Sequence, residues 1–252
     1  MKKLLPALFI TIAFLVGHSA KAQTTDSVNS SKWMHHQFAG TMQIQVTYRQ
    51  SRLGELNNAL TGSGIGKLGA NDFWINASMN HAFGKWIEED GIGFTPITSS
   101  DLNGIKAKYN QYQIYGRLGY NVLNKTNMRL FPFAGINFSA AVLDIQDKNG
   151  IQSTSSFSGE LRNSTYSKTF YQPNFGIDLG IGYDNLIPVK AKDMGCFMVQ
   201  RYIPIGVRAG YYIHAAQSDW RIDSYKLQDG PDNKQGSIFV SVNIGLGFEV
   251  KK

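Results

Sequence analysis

Apolar and polar residues alternate with period two along most of this chain. The clearest run is Ser237 to Val250. Ile238, Val240, Val242, Ile244, Leu246, Phe248 and Val250 share one parity, and Ser241, Asn243, Gly245, Gly247 and Glu249 share the other. Residues two apart lie on one face of an extended strand, so the run predicts a long strand with an apolar face and a small or polar face. It exceeds the ~5–6 residues usual in soluble sheets and reaches the ~9–11 that a tilted strand needs to cross a bilayer. The pattern recurs over Phe38–Tyr48, Phe73–Phe83, Tyr112–Val122, Ala134–Val142, Phe175–Asp184 and Ile203–His214, which makes seven strands in all. Single-chain bacterial barrels have an even number of strands. The eighth is expected over Lys85 to Pro96, after a tight turn at Gly84-Lys85, although Glu88, Glu89 and Asp90 interrupt it. Three consecutive acids cannot all face the same side of a strand.

The links alternate as well. Short ones fall at Gly84-Lys85 and Asn124–Asn127, and long polar ones at Arg49–Asn71, Ile97–Asn110, Gln146–Lys168 and Gln217–Gly236. Short periplasmic turns with long external loops are the outer-membrane arrangement, and this phase puts both termini in the periplasm. The link Asn185–Val199 is too long for a periplasmic turn, and the pattern gives no reason for it. Leu53–Leu60 fits a short helix in the first external loop.

A soluble eight-stranded barrel alternates too, with its apolar face inward. Here the minority face carries Arg117, Asp178, Arg208 and Glu249 with many glycines, which would pack nothing on an outer surface. A small membrane barrel fills its lumen with such side chains. The apolar face carries Tyr48, Phe73, Tyr112, Tyr183 and Phe248 near strand ends, the positions of interfacial aromatic girdles. Lipid offers no hydrogen-bond partners, and a closed barrel leaves no backbone edge to satisfy. The expected fold is therefore all-β: a closed, antiparallel, up-and-down transmembrane β-barrel of eight strands.

The N-terminal segment does not share the alternation. Lys2 and Lys3 precede an apolar run, Leu4–Val16, and Ala20 and Ala22 give a small-x-small cleavage pattern. Residues 1–22 read as a cleaved signal peptide, 23–36 as a polar periplasmic leader and 37–252 as the barrel, with a bacterial outer-membrane address. The net charge is +7, from 25 Lys and Arg against 18 Asp and Glu. Losing Lys2, Lys3 and Lys21 leaves 22 against 18, or +4. No basic block interleaved with aromatics occurs, so nucleic acid is not an expected partner. Cys196 is the sole cysteine, which excludes an internal disulfide.

Several pieces resemble a large family of small bacterial outer-membrane β-barrel domain proteins. They are Leu56-Asn57-Asn58-Ala59-Leu60, Phe73 to Phe83, Gly206-Val207-Arg208-Ala209-Gly210-Tyr211, and Trp220 with Asp229-Gly230-Pro231-Asp232. The resemblance implies a barrel of about this size in the outer membrane and carries over no catalytic residues. Glu88-Glu89-Asp90 departs from it, where a Gly-rich strand is expected.

Chemical motifs are sparse. Gly62-Ser63-Gly64-Ile65-Gly66-Lys67 fails as a phosphate loop, because Thr61 stands where its first glycine should be and Leu68 where Ser or Thr should bind magnesium. His35 and His36 lack an evident third metal ligand. No cofactor, metal or catalytic set is expected. Arg117, Asp178, Arg208, Glu249, Glu88 and Glu89 are the expected lumen charge network, a structural plug. Trp220, Phe157 and Tyr166 are the candidate loop contacts for an external ligand. The expected function is structural or surface-interacting, with a plugged lumen and long external loops. The alternatives are an enzyme on lipid or peptide at the rim, with His214 as base, and a narrow channel. Expected partners are outer-membrane lipid, the barrel-assembly machinery during insertion and an unidentified extracellular ligand, with the chain a monomer.

Overall fold

A computed structural model describes residues 38–123, 125–147, 167–193, 198–223, 225–228, 230–232 and 236–251. The expected signal peptide and leader lie outside these residues, as do His35, His36, Cys196, Phe157 and Tyr166. The described elements in chain order are β1 (Phe38–Arg49), α1 (Gly54–Gly62), β2 (Phe73–Phe83), β3 (Trp86–Phe94), β4 (Thr98–Leu102), β5 (Ile105–Tyr120), β6 (Met128–Asp147), β7 (Ser167–Asp193), β8 (Met198–Gln217), β9 (Arg221–Ile222), β10 (Tyr225–Lys226) and β11 (Ser237–Lys251).

Eight strands close a ring in which each pairs antiparallel with its neighbours in sequence: β1, β2, β3, β5, β6, β7, β8 and β11. Closure is made by β11 on β1, with Ile44 opposite Ile244. The eighth strand is β3, where the sequence placed it, joined to β2 by a two-residue link whose Gly84 sits at φ +62°. That sign suits the first central residue of a tight hairpin turn and favours glycine.

The outer wall is apolar. Met42, Ile44, Val46, Ile114, Leu118, Ile181, Val242, Ile244 and Leu246 all stand exposed on it. Tyr48, Phe73, Phe94, Tyr112 and Phe138 ring one end, and Phe83, Trp86, Tyr120 and Phe248 ring the other. On β2 the two rings are separated by the span Phe73–Phe83. At ~3.3 Å per residue and a tilt of about 40° that span is roughly 25 Å tall, the height of a lipid-facing band. A wall of this kind is stable only in a bilayer, so the barrel crosses one.

The overlong link resolves into strand. β7 continues to Asp193 and β8 starts at Met198, so the two form a hairpin extending past the ring on the short-link side, with a register shift between Val189 and Lys192. At the other end β5 and β6 also outrun the band, pairing as far as Ile105 with Asp147, and β4 pairs on the extension of β5.

Candidate functional site

The lumen is filled. Arg117, on β5, donates from Nη1 to Glu89 Oε1 at 2.8 Å and from Nε and Nη2 to Asp178 Oδ2 at 3.0 and 2.8 Å. Arg208, on β8, forks onto Asp184 at 2.7 and 3.1 Å and donates from Nε to Glu89 Oε2 at 3.2 Å. Glu89 is thus shared between both arginines, and all five side chains are buried. Planar guanidinium groups suit such bidentate bridging better than lysine would. The guanidiniums also lie over rings, Arg117 at 4.3 Å from the Tyr115 centroid and Arg208 at 4.8 Å from that of Phe131. Ile87, Phe131, Phe133, Tyr212 and Phe239 form an apolar cluster beside them.

Small inner-wall residues make room for these groups. A Cβ on Gly206 would collide with Asp184 Oδ1 and the backbone oxygen of Tyr183, and one on Gly182 with the Phe131 ring. This explains why glycine dominates the parity that carries the charges.

The expected network needs two corrections. Glu88 does not face the lumen: burial along β3 alternates, so Ile87 and Glu89 point in while Trp86, Glu88 and Asp90 point out. Glu249 lies on the lumen parity of β11 but is only half-buried, six residues further along the strand than the Asn243 that touches Arg208. Asp184 belongs to the network although sequence reasoning passed over it. Its parity with Asp178 was the available signal.

The mouth at the long-loop end is covered by a cap with its own core. Leu53, Leu56 and Leu60 around α1 pack with Leu68, with Ala107 and Tyr109 of β5, with Ala141 and Leu143 of β6, and with Trp220. The failed phosphate loop is the end of this helix. Gly64 takes φ +75°, its N–H reaches Thr61 O at 3.0 Å, and Ile65 N–H reaches Leu60 O at 2.9 Å, the paired bonds of a glycine-terminated helix. Asn57 clamps the returning chain through both its amide atoms to Leu68, at 2.9 and 3.0 Å. Trp220 is therefore corrected from exposed ligand anchor to core residue. It is 5% exposed, and its Nε1 donates to Pro231 O at 3.1 Å. Asp232 N–H meets Glu55 Oε2 at 2.8 Å, tying the last loop to the first.

Between cap and plug lies a cavity of about 60 Å³ whose lining includes Arg49, Arg52, Trp74, Asn174, Tyr212 and His214. Arg49 is held between two rings, 4.0 Å from the Trp74 centroid and 4.7 Å from that of Tyr212, and donates to Gln113 Oε1 at 3.2 Å. Gln113 in turn donates to Asn76 at 2.6 Å and accepts from Asn137 at 3.0 Å, so polar contacts descend from the mouth into the lumen. Asn174 Oδ1 is buried and has no hydrogen-bond partner among the described residues. His214 reaches this cavity, as do Ser139 and Ser237.

No protein-family model matches the chain, and no curated protein matches its sequence. Among solved structures it is similar to the attachment invasion locus protein Ail of Yersinia pestis, crystallised with the heparin analogue sucrose octasulfate, at 10% identity and TM-score 0.40 over 84% of this chain and 98% of that one. It is also similar to Neisserial surface protein A, at 10% identity and TM-score 0.37 over 85% and 97%. A third is the outer-membrane protease OmpT from Escherichia coli, at 8% identity and TM-score 0.33 over 92% and 100%.

Proposed function

We propose that this chain is a plugged barrel of the bacterial outer membrane that works by surface interaction, through its external cap, and is neither an enzyme nor a channel. The cap carries the reading. Closing a barrel requires only short connections, yet here long loops are folded into a buried apolar core around α1 and Trp220, above the lipid-facing band. Ordering that much backbone costs about 1–2 kcal/mol per residue, which a purely connecting loop has no need to meet. The two lumen arginines, with the Glu89 they share and the Asp178 and Asp184 they each hold, support the same reading, because they leave an eight-stranded interior no room for flow.

The rim-enzyme reading rests on one observation, that His214, Ser139 and Ser237 line a common cavity. At about 60 Å³ that space holds a few water molecules and is too small for an acyl chain or a dipeptide.

Two measurements test the proposal. Purified barrel in planar bilayers gives no stepwise current, and regular current steps would overturn the plug. Cells displaying the barrel bind an array of extracellular proteins and glycans, and replacing residues 50–71 by a short turn removes that binding while the barrel still shows its folded band on gels. Indistinguishable binding profiles would overturn the role of the cap.

A further inference from the structure

The outward-facing acids of β3 have a companion on β2. His81 stands directly across the strand pair from Glu88, and Asp90 lies two residues further along, opposite Met79. Directly opposed positions bring Cβ atoms within about 4.5–5.5 Å, and a diagonal neighbour remains in reach of a longer side chain. The ligand atoms of the three residues all lie within 4.8 Å of one another. All three face the lipid side, one or two outward positions inside the girdle residues Phe83 and Trp86.

We propose that His81, Glu88 and Asp90 bind one divalent transition-metal ion of the zinc class on the lipid-facing wall. An imidazole with two carboxylates is a donor set that zinc accepts, leaving a fourth position for water or a lipid phosphate oxygen. Two donors on a tetrahedral zinc are about 3.4 Å apart, so the side chains need close by no more than about 1.4 Å. The strands hold the backbones of all three in fixed register, which preorganises the set.

Placement supplies a second, independent argument. Neighbouring outward positions are apolar: Met79 and Leu118 stand exposed beside the cluster. Glu88 and Asp90 put two negative charges at the edge of this apolar band, and a protonated His81 would cancel only one. Lys85, in the adjacent turn, lies over the Tyr120 ring. Charge on the lipid face is destabilising in a depth-dependent way. A dication with a neutral imidazole and two carboxylates sums to zero. The same cluster that is awkward for a bare barrel is therefore electrically suited to the metal-bound one.

The test uses the full protein, stripped by chelator and folded in detergent micelles. Calorimetry with Zn2+ gives one saturable site, Co2+ in its place gives visible ligand-field bands, and Zn2+ raises the temperature at which the folded band is lost on gels. The double variant His81→Ala/Glu88→Gln loses all three while keeping its folded band, and Asp90→Asn weakens binding at least tenfold and serves if the double variant fails to fold. Because His35 and His36 remain in both variants, binding of undiminished affinity in either would overturn the site, as would the absence of saturable binding to the parent protein.

Discussion

Glu88 and Glu89 are adjacent in sequence and opposite in consequence. Glu89 bridges Arg117 and Arg208 within the lumen, while Glu88 looks into lipid. In chelator, Glu89→Gln lowers the temperature at which the barrel unfolds on heated gels and Glu88→Gln does not. Equal effects would contradict the facing of β3. Arg208→Ala is more damaging. It strips Asp184 of both its bonds from Arg208, in a barrel where that arginine is fully buried. Removing one partner of a buried ion pair costs about 3–5 kcal/mol, because the remaining charge stays desolvated. An unchanged unfolding temperature would remove the plug's claim to hold the barrel together. Membership of the plug was half legible. Parity assigns Arg117, Asp178 and Arg208 to the lumen, but which of them touch depends on how the ring staggers its strands on closing, and parity is silent about that. Arg49 slotting between Trp74 and Tyr212 is a contact among β1, β2 and β8 that no local pattern encodes.

The strands were readable because each face meets a different medium, and period two records that contrast directly. Where the contrast lapses, so does the signal. The β7–β8 hairpin leaves the ring beyond Asn185 and has no lipid on one side and lumen on the other, so it looks like a link in sequence though β7 runs on to Asp193 and β8 begins at Met198. The cap was legible only as a short helix at Leu53–Leu60, since its partners on β5, β6 and the last loop are distant in the chain. Its independence from the plug is testable. Leu56→Ala or Trp220→Ala opens a cavity in the cap core, and large-to-small changes of this kind cost about 2–5 kcal/mol. That loss is confined to the loops. Proteases added to intact cells therefore cut between residues 50 and 71 faster in either variant, while the heat resistance of the folded barrel on gels is unaltered. A joint loss of both would mean that cap and barrel unfold as one unit.

At the scale of the whole molecule, stability depends on matching the apolar band to the bilayer, and this fixes how a charge on the outer wall should act at different depths. Ile44 of β1 faces Ala77 on one side and Ile244 on the other, about midway between the two aromatic rings. Tyr48 lies on the same face of the same strand but in the upper ring, edge-on to Phe73 at 5.7 Å. An arginine at the midplane of a barrel's lipid face costs about 2–4 kcal/mol, and near the interface about 0–1 kcal/mol, because there the guanidinium reaches water and headgroups. Urea titration in phospholipid vesicles should therefore show Ile44→Arg losing about 2–4 kcal/mol of folding stability and Tyr48→Arg about 1 kcal/mol or less, apart from the ring contact with Phe73. The comparison separates a lipid-facing wall from a merely exposed one. On a wall facing water both arginines would be solvated, Ile44→Arg would cost little, and the larger loss would fall on Tyr48→Arg through its broken aromatic pair. That inversion of order would refute the transmembrane orientation of every strand at once, because closure of the ring and alternation along each strand tie all eight faces to that of β1.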